Sequence, residues 1–232
     1  MIKNIRKELK ANIEPEYKVG LQRFFKERIT VYGVRTPIVR KIAARHFKSI
    51  KDKPKSEIFD ICEILLESGF GEEITIAFDW AYRFRKAYEP ADFKLFESWL
   101  RKYITNWGSC DGFCCRAFGE FLFQYPRFLK NVKTWTKSDN RWFRRAAAVI
   151  MIYPNKRDKY IEDSFEIADR LFYDSDDMVQ KGYGWMLKEI SNLYPQKVFN
   201  YVMANKKDMP RTALRYAIEK LTPKMKKEAM KK

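Results

Sequence analysis

The chain has 232 residues, of which 46% are hydrophobic, so it is long enough to bury a core and is not expected to be disordered. Lys and Arg number 47 against 30 Asp and Glu, and the formal charge of +17 favours a polyanionic partner, nucleic acid above all, over a merely basic protein. No stretch is apolar enough to span a bilayer and no secretory signal precedes the first charges, so we expect a cytosolic protein without membrane contact.

Proline marks the start of most predicted helices, because a first helical turn tolerates its missing N–H group. Thr36 before Pro37 and Thr222 before Pro223 supply N-cap oxygens. In chain order we predict helices at 3–11, 15–26, 37–47, 54–67, 72–87, 90–103, 109–124, 126–134, 138–152, 160–172, 176–192, 195–204, 210–221 and 224–230. The sequence contains no sustained alternation of apolar and polar residues, so we predict no sheet.

A repeat is visible in the spacing of three prolines. Pro54, Pro90 and Pro126 follow one another at intervals of 36 residues, which leaves room for two helices and two turns. This period is typical of stacked helix pairs. The predicted fold is therefore all-α, a curved α-solenoid of HEAT-like antiparallel helix pairs with no sheet. Without a Gly/Ser linker we predict one domain over 1–232, whose basic C-terminal tail, 224–232, is free to fray.

The cysteines and the single histidine exclude several kinds of site. Cys110, Cys114 and Cys115 crowd together, Cys62 is distant, and His46 is the only histidine. This pattern matches neither a disulfide framework nor a zinc site, so we interpret the thiols as small buried residues and predict no metal. No phosphate-binding loop, dinucleotide motif or catalytic triad is present, and we predict no cofactor. An enzyme built from this chain would work with carboxylates, aromatic rings and cations alone.

Trp107 and Asp111 are the first candidate site residues. They are four residues apart, which places them on the same side of a helix start. A carboxylate beside apolar surface and an indole stabilises developing positive charge better than one in bulk water. The alternative is that Ser109 or Asp111 caps the helix or interacts with its dipole.

Three arginines form the second candidate group. Arg141, Arg144 and Arg145 lie away from the predicted apolar stripe of their helix, where guanidinium groups suit phosphate recognition. We expect Arg145→Ala to weaken DNA binding without unfolding the protein. A solvated face, or ion pairs with Asp139, would explain the same charges.

Trp185 is the third candidate. The helix around it has a core-facing stripe formed by Val179, Tyr183, Met186, Leu187 and Ile190. Trp185 lies off that stripe and shares a face with Lys181 and Lys188, an arrangement suited to nucleic acid; a protein–protein contact is the alternative. If alternate helices face inward, those beginning near Ser109, Ser138 and Asp176 share one groove.

Three motifs, in this order and with this spacing along the chain, resemble the AlkD family of DNA alkylation-repair glycosylases. They are NWGSCD at 106–111, SDNRWFRRAA at 138–147 and QKGYGWMLKE at 180–189, supported by YGVRTP at 32–37 and PRTALRYAI at 210–218. The resemblance covers nearly the whole chain. It implies a monomeric, cofactor-free HEAT-like solenoid that removes positively charged N3- and N7-alkylated purines from double-stranded DNA without flipping the base into a pocket.

By that resemblance, Trp107 and Trp185 contact the lesion-bearing nucleotide, Asp111 is the catalytic carboxylate and Arg145 grips the DNA backbone. Two residues depart from the best-known member, since Asn106 replaces a second tryptophan and Phe24 stands in place of a tyrosine. Related subgroups keep the fold without activity, so a non-catalytic solenoid that binds damaged or branched DNA is the second hypothesis. A protein-binding scaffold is the third, and it predicts weak DNA affinity with little salt dependence.

Overall fold

The regular secondary structure of the chain is entirely helical over residues 1–231, the range that the computed structural model describes. The α-helices are α1 (Ile2–Ala11), α2 (Pro15–Gln22), α3 (Thr36–Phe47), α4 (Lys55–Glu67), α5 (Gly71–Arg83), α6 (Asp92–Tyr103), α7 (Trp107–Phe113), α8 (Gly119–Gln124), α9 (Leu129–Trp135), α10 (Arg141–Val149), α11 (Ile152–Asn155), α12 (Ile161–Arg170), α13 (Asp177–Ser191), α14 (Pro195–Asn205), α15 (Arg211–Ala217) and α16 (Pro223–Met230). Short 3₁₀ turns lie at Arg85–Ala87 and Pro126–Phe128, and a π-helical turn at Cys114–Phe118 joins α7 to α8. The all-α prediction is confirmed.

The helices group into two compact units, Met1–Ala117 and Phe118–Lys232. Each has its own buried side chains, and each is described by itself below. The prediction of one domain over 1–232 stays a prediction. In residues 1–231, none of the helices combines the length and the apolar character that crossing a bilayer requires.

The first unit has a core rich in aromatic rings. Phe96, Trp99 and Phe113 are fully buried and contact one another, while the Trp80 indole donates a hydrogen bond to the Ala43 carbonyl at 2.9 Å. Neighbouring helices pack in succession, α1 on α3, α3 and α4 on α5, and α5 on α7. This succession is what stacked helix pairs require.

The second unit is organised around α13, which packs against α10, α12, α14 and α15. The predicted stripe of Val179, Tyr183, Met186, Leu187 and Ile190 is fully buried, so this prediction is confirmed. Burial also raises the pKa of the Tyr183 hydroxyl, since the charged form would lose its hydration.

Several predicted boundaries differ from the observed ones. The predicted helix 138–152 is two helices, α10 and α11, and Pro154 lies within α11. The predicted helix 109–124 begins two residues earlier and contains the π-helical turn. A π-helical turn contains one residue more than an α-helical turn. In this turn Cys114, Ala117 and Phe118 are all fully buried, so the wider turn keeps these apolar side chains in the core.

The predicted basic tail, 224–232, largely coincides with α16. Ala229 is fully buried, and the Lys206 ammonium donates to the carbonyl oxygens of Glu228 and Lys231 at 3.4 and 3.1 Å. The segment is therefore held within the second unit by packing and hydrogen bonds. Lys232 lies outside the described residues.

Gly184 allows α13 and α15 to approach closely. A Cβ atom at this position would lie 2.7 Å from the Ala213 carbonyl oxygen and 2.8 Å from the Tyr216 Cβ. We expect Gly184→Ala to lower the free energy of unfolding by about 1–3 kcal/mol, because these neighbours are parts of a packed helix that would have to move. Urea denaturation measures the effect.

The matched control for this prediction is Gly20→Ala in α2. A Cβ atom there meets nothing within 4 Å. This variant should be neutral or more stable by up to about 1 kcal/mol, since alanine favours a helix. Equal unfolding midpoints for Gly184→Ala and Gly20→Ala would contradict the close-packing argument.

Candidate functional site

Helix α7 carries both Trp107 and Asp111. Asn106 is its N-cap: the side-chain oxygen accepts a hydrogen bond from the Ser109 N–H at 3.0 Å, and the Ser109 hydroxyl donates back to the Asn106 carbonyl at 3.0 Å. Neither Ser109 nor Asp111 is therefore the N-cap, and the other part of the alternative, an interaction of Asp111 with the helix dipole, stays a prediction. Asp111 is half-buried in the next turn, and its carboxylate is not used as the cap.

The Trp107 side chain is held by the segment that follows α2. Its indole N–H donates to the Phe24 carbonyl oxygen at 3.2 Å, and its ring stacks on Phe25 with centroids 4.7 Å apart and planes 11° from parallel. Gly108 leaves room for this stack, because a Cβ there would lie 3.3 Å from two atoms of the Phe25 ring. Sequence reasoning missed Phe25, which is remote from Trp107 along the chain.

A cavity of about 470 Å³ lies within the first unit, beside the side of α7 that carries Gly108 and Gly112. Its walls come from α2, the segment after it, α3, α5 and α7, and Phe25 is among the lining residues. The cationic side chains lining it are Arg28, Arg40 and Arg116. The sequence pattern held no signal for this cavity, because its walls come from segments far apart in the chain.

The acids beside that cavity already have partners. Glu72 is buried and accepts hydrogen bonds from the backbone N–H groups of Tyr32, Gly33 and Val34 at 2.8–3.0 Å. Asp79 accepts from Arg83 at 2.6 Å and lies 3.4 Å from an Arg116 nitrogen. Glu72 fixes the loop before α3, and the aspartate partly offsets the charge of Arg116.

In the second unit, the arginines of α10 bind carboxylates at the start of α13. Two Arg141 nitrogens lie 2.8 Å from the two Asp176 oxygens, and Arg144 donates to Asp174 at 2.6 Å. The ion pairs therefore involve Asp174 and Asp176, whereas Asp139 accepts from Arg144 through its backbone carbonyl at 3.1 Å. Both guanidinium groups keep part of their surface exposed.

Arg145 requires a correction, because it does not share the exposed face of Arg141. It is only 5% exposed, and its guanidinium donates to the Met178 carbonyl. Its stem packs against Gly182, where a Cβ atom would lie 3.2 Å from the Arg145 Cγ. The face assignment failed because the neighbouring helix α13 covers this position, which a helical wheel of α10 alone cannot show.

Trp185 lies off the core stripe as predicted and is half-buried. Its indole N–H donates to a Glu189 carboxylate oxygen at 2.9 Å, and the other Glu189 oxygen lies 3.4 Å from the Lys156 ammonium. The two lysines predicted on its face also have acidic partners, Lys181 with Asp177 and Lys188 with Glu219. Sequence reasoning did not identify Glu189 as the partner of Trp185. Its position four residues later in the same helix indicates such a contact.

The predicted site residues therefore form two groups, one in each unit. The first is Trp107 with Asp111 on α7. The second comprises Arg141, Arg144, Arg145, Lys181, Trp185 and Lys188 on α10 and α13. That both groups share one groove stays a prediction.

The cysteines are free thiols, and Cys62, Cys110 and Cys114 are fully buried. Burial raises the pKa of the Cys114 thiol, so this group beside α7 stays protonated at neutral pH. The interpretation as small buried residues is confirmed for these three thiols, whereas Cys115 is only half-buried. Within residues 1–231, no group of three or more His, Cys, Asp and Glu side chains is arranged to hold a metal ion.

Comparisons with known proteins agree with the resemblance seen in the sequence. The family model described as "DNA alkylation repair enzyme" matches residues 5–221. A solved structure, described as a predicted DNA alkylation repair enzyme from Enterococcus faecalis, is similar with a TM-score of 0.78 at 18% identity, over 91% of this chain and 98% of that one. At this identity the likeness shows the fold alone. No curated protein sequence matches the chain significantly.

Proposed function

Because this chain belongs to the family of DNA alkylation repair enzymes, we propose that it is a DNA glycosylase. Its substrates are positively charged N3- and N7-alkylated purines in double-stranded DNA. The reaction is hydrolysis of the N-glycosidic bond, with the damaged base left in the duplex rather than flipped into a pocket. Neither a metal ion nor an organic cofactor takes part.

The observation that carries this proposal is the pairing of Trp107 and Asp111 on α7. Asn106 caps the helix, so the Asp111 carboxylate is not needed for that purpose. Trp107 is held in one orientation by Phe24 and Phe25. A fixed indole and a half-buried carboxylate, one helical turn apart, form a compact site for a cation.

The chemistry needs little beyond such a site. An alkylated purine already carries a positive charge, so it is a good leaving group without protonation. As the bond to the base breaks, positive charge develops on the sugar, and a carboxylate in a partly dehydrated site stabilises it. Asp111 also orients the attacking water. Neutral purines are expected to be poor substrates, because none of the proposed site residues is assigned to protonate the leaving base.

DNA contact is assigned to the half-buried side chains of the second unit: Trp185, Arg141, Arg144, Lys181 and Lys188. Each cation in this group has a carboxylate partner, and each keeps exposed surface from which to approach a phosphate. Arg145 is different, since its burial and its bond to the Met178 carbonyl favour a structural role. The formal charge of +17 supports the choice of a polyanion.

The proposal is tested by incubating the protein with double-stranded DNA that contains N7-methylguanine and N3-methyladenine. We expect release of these free bases, with no release from the same duplex before methylation. Chromatography of the released bases against time measures the reaction. Binding of the methylated duplex without any release would exclude the glycosylase.

A second candidate is a non-catalytic protein that binds damaged or branched DNA. It is favoured by Asn106, which stands where the best-known glycosylase of this family has a second tryptophan and whose side chain is occupied by the helix cap. Binding of methylated or branched duplex without base release is the result that this candidate predicts.

A further inference from the structure

We infer that Phe25 is a positioning residue for Trp107, setting the orientation in which the indole meets the substrate. The inference deepens the proposed function, on which it rests for the nature of that substrate. The contact between Phe25 and Trp107 joins two segments that lie far apart in the sequence. Phe24, whose carbonyl also holds the indole, is separated from Trp107 by 83 positions.

Two restraints together define where the indole lies. The ring of Phe25 is 4.7 Å away and 11° from parallel, which fixes the plane of the indole. The hydrogen bond from the indole N–H to the Phe24 carbonyl, 3.2 Å long, fixes its rotation within that plane. Trp107 is only half-buried, so these contacts do the positioning that core packing does elsewhere.

Polar contacts shape the segment that supplies both restraints. Helix α2 buries none of its side chains. At its end, the Gln22 side chain donates to the carbonyl oxygens of Phe25 and Glu27 at 3.3 and 2.9 Å and accepts from the Ile29 N–H at 3.1 Å. These three hydrogen bonds shape the turn that carries Phe25. Gly108 provides the space into which the Phe25 ring fits.

This arrangement restricts what Trp107 can offer to a ligand. One indole face is covered by Phe25, and the N–H group donates to the Phe24 carbonyl. We assign the substrate contact to the opposite face, because the negative face of an aromatic ring attracts cations. Trp107 therefore selects for positive charge on the nucleotide rather than for a hydrogen-bond acceptor such as a phosphate or a neutral base.

The test is a double-mutant cycle between Phe25→Leu and Trp107→Ala, measured as the single-turnover rate of N7-methylguanine release. Leucine keeps an apolar side chain but cannot stack. We expect Phe25→Leu to lower the rate roughly three- to tenfold, the size of an aromatic pair, and to change DNA affinity less than twofold. In the Trp107→Ala background it should have no further effect, because there is no indole left to position. Phe25→Tyr, which can stack, should restore the rate.

Near-ultraviolet circular dichroism provides a second reading that does not depend on catalysis. The difference between the spectra of wild type and Trp107→Phe reports the ordered indole. The same difference, taken between Phe25→Leu and the double variant Phe25→Leu/Trp107→Phe, should be close to zero. The control is Phe84→Leu, which removes an aromatic pair with Phe47 in the same unit and should leave the Trp107 signal intact.

Two results would overturn the inference. One is an unchanged Trp107 signal in Phe25→Leu, and the other is a loss of rate that simply adds to that of Trp107→Ala. A wild-type protein that releases no base would instead count against the proposed function, and the dichroism would then decide the positioning role alone.

Discussion

Replacement of Asp111 by Asn is expected to lower single-turnover release of N7-methylguanine roughly 10²- to 10⁴-fold, the range for removing a charged group that acts on the transition state. Asparagine has nearly the same size, but it carries no charge to stabilise the cationic sugar and is a poor base for orienting water. DNA affinity should stay equal or rise slightly, because the carboxylate is no phosphate ligand and its negative charge repels phosphate. Quantification of released base under enzyme excess measures the rate.

The control is Asp60→Asn on α4, which removes one negative charge from an exposed position. It should leave both the rate and the melting temperature unchanged. Asp111→Asn with wild-type release would remove Asp111 from the reaction. A large fall in its melting temperature would show instead that the carboxylate stabilises α7.

Replacement of Arg145 by Ala is expected to lower the free energy of unfolding by about 2–4 kcal/mol. The side chain is buried between α10 and α13, so truncation leaves a cavity beside Gly182 and removes a hydrogen bond to the Met178 carbonyl. This result is the opposite of the expectation from sequence, which placed Arg145 on the DNA-binding face and predicted intact folding. Urea denaturation followed by circular dichroism gives the measurement.

Arg215→Ala provides the comparison, because Arg215 is an exposed arginine on α15. It should change stability by no more than about 0.5 kcal/mol. If Arg145→Ala were as stable as Arg215→Ala yet bound DNA more weakly, Arg145 would be a DNA contact after all. Weaker binding that merely follows the unfolded fraction would agree with a structural role.

Much of the fold could be predicted from patterns along single helices. The prolines before α4, α6 and α9 marked successive helix pairs, and the five-residue stripe of α13 identified its buried face. The off-stripe position of Trp185 was equally visible, since it follows from spacing alone. These features depend on a period of 3.6 residues and on backbone rules for proline, both of which are local.

The candidate site was only partly predictable, and Arg141, Arg144 and Arg145 show why. On the sequence they form one basic cluster suited to phosphate. In the structure, Asp174 and Asp176 pair with the first two, while α13 covers the third. A helical wheel assigns a face to each arginine, but it contains no information on which helix lies opposite or which acids that helix carries.

Sequence by itself therefore determined the all-helical architecture, the family and the position of Asp111 in a helix that begins near Trp107. Only the tertiary structure decided that Phe25 stacks on Trp107, that Arg145 is buried and that Asn106 rather than Asp111 caps α7. The physical reason is the distance along the chain over which each effect acts. Periodicity acts over a few residues of one helix, whereas stacking, burial and ion pairing depend on partners that only packing brings within contact distance.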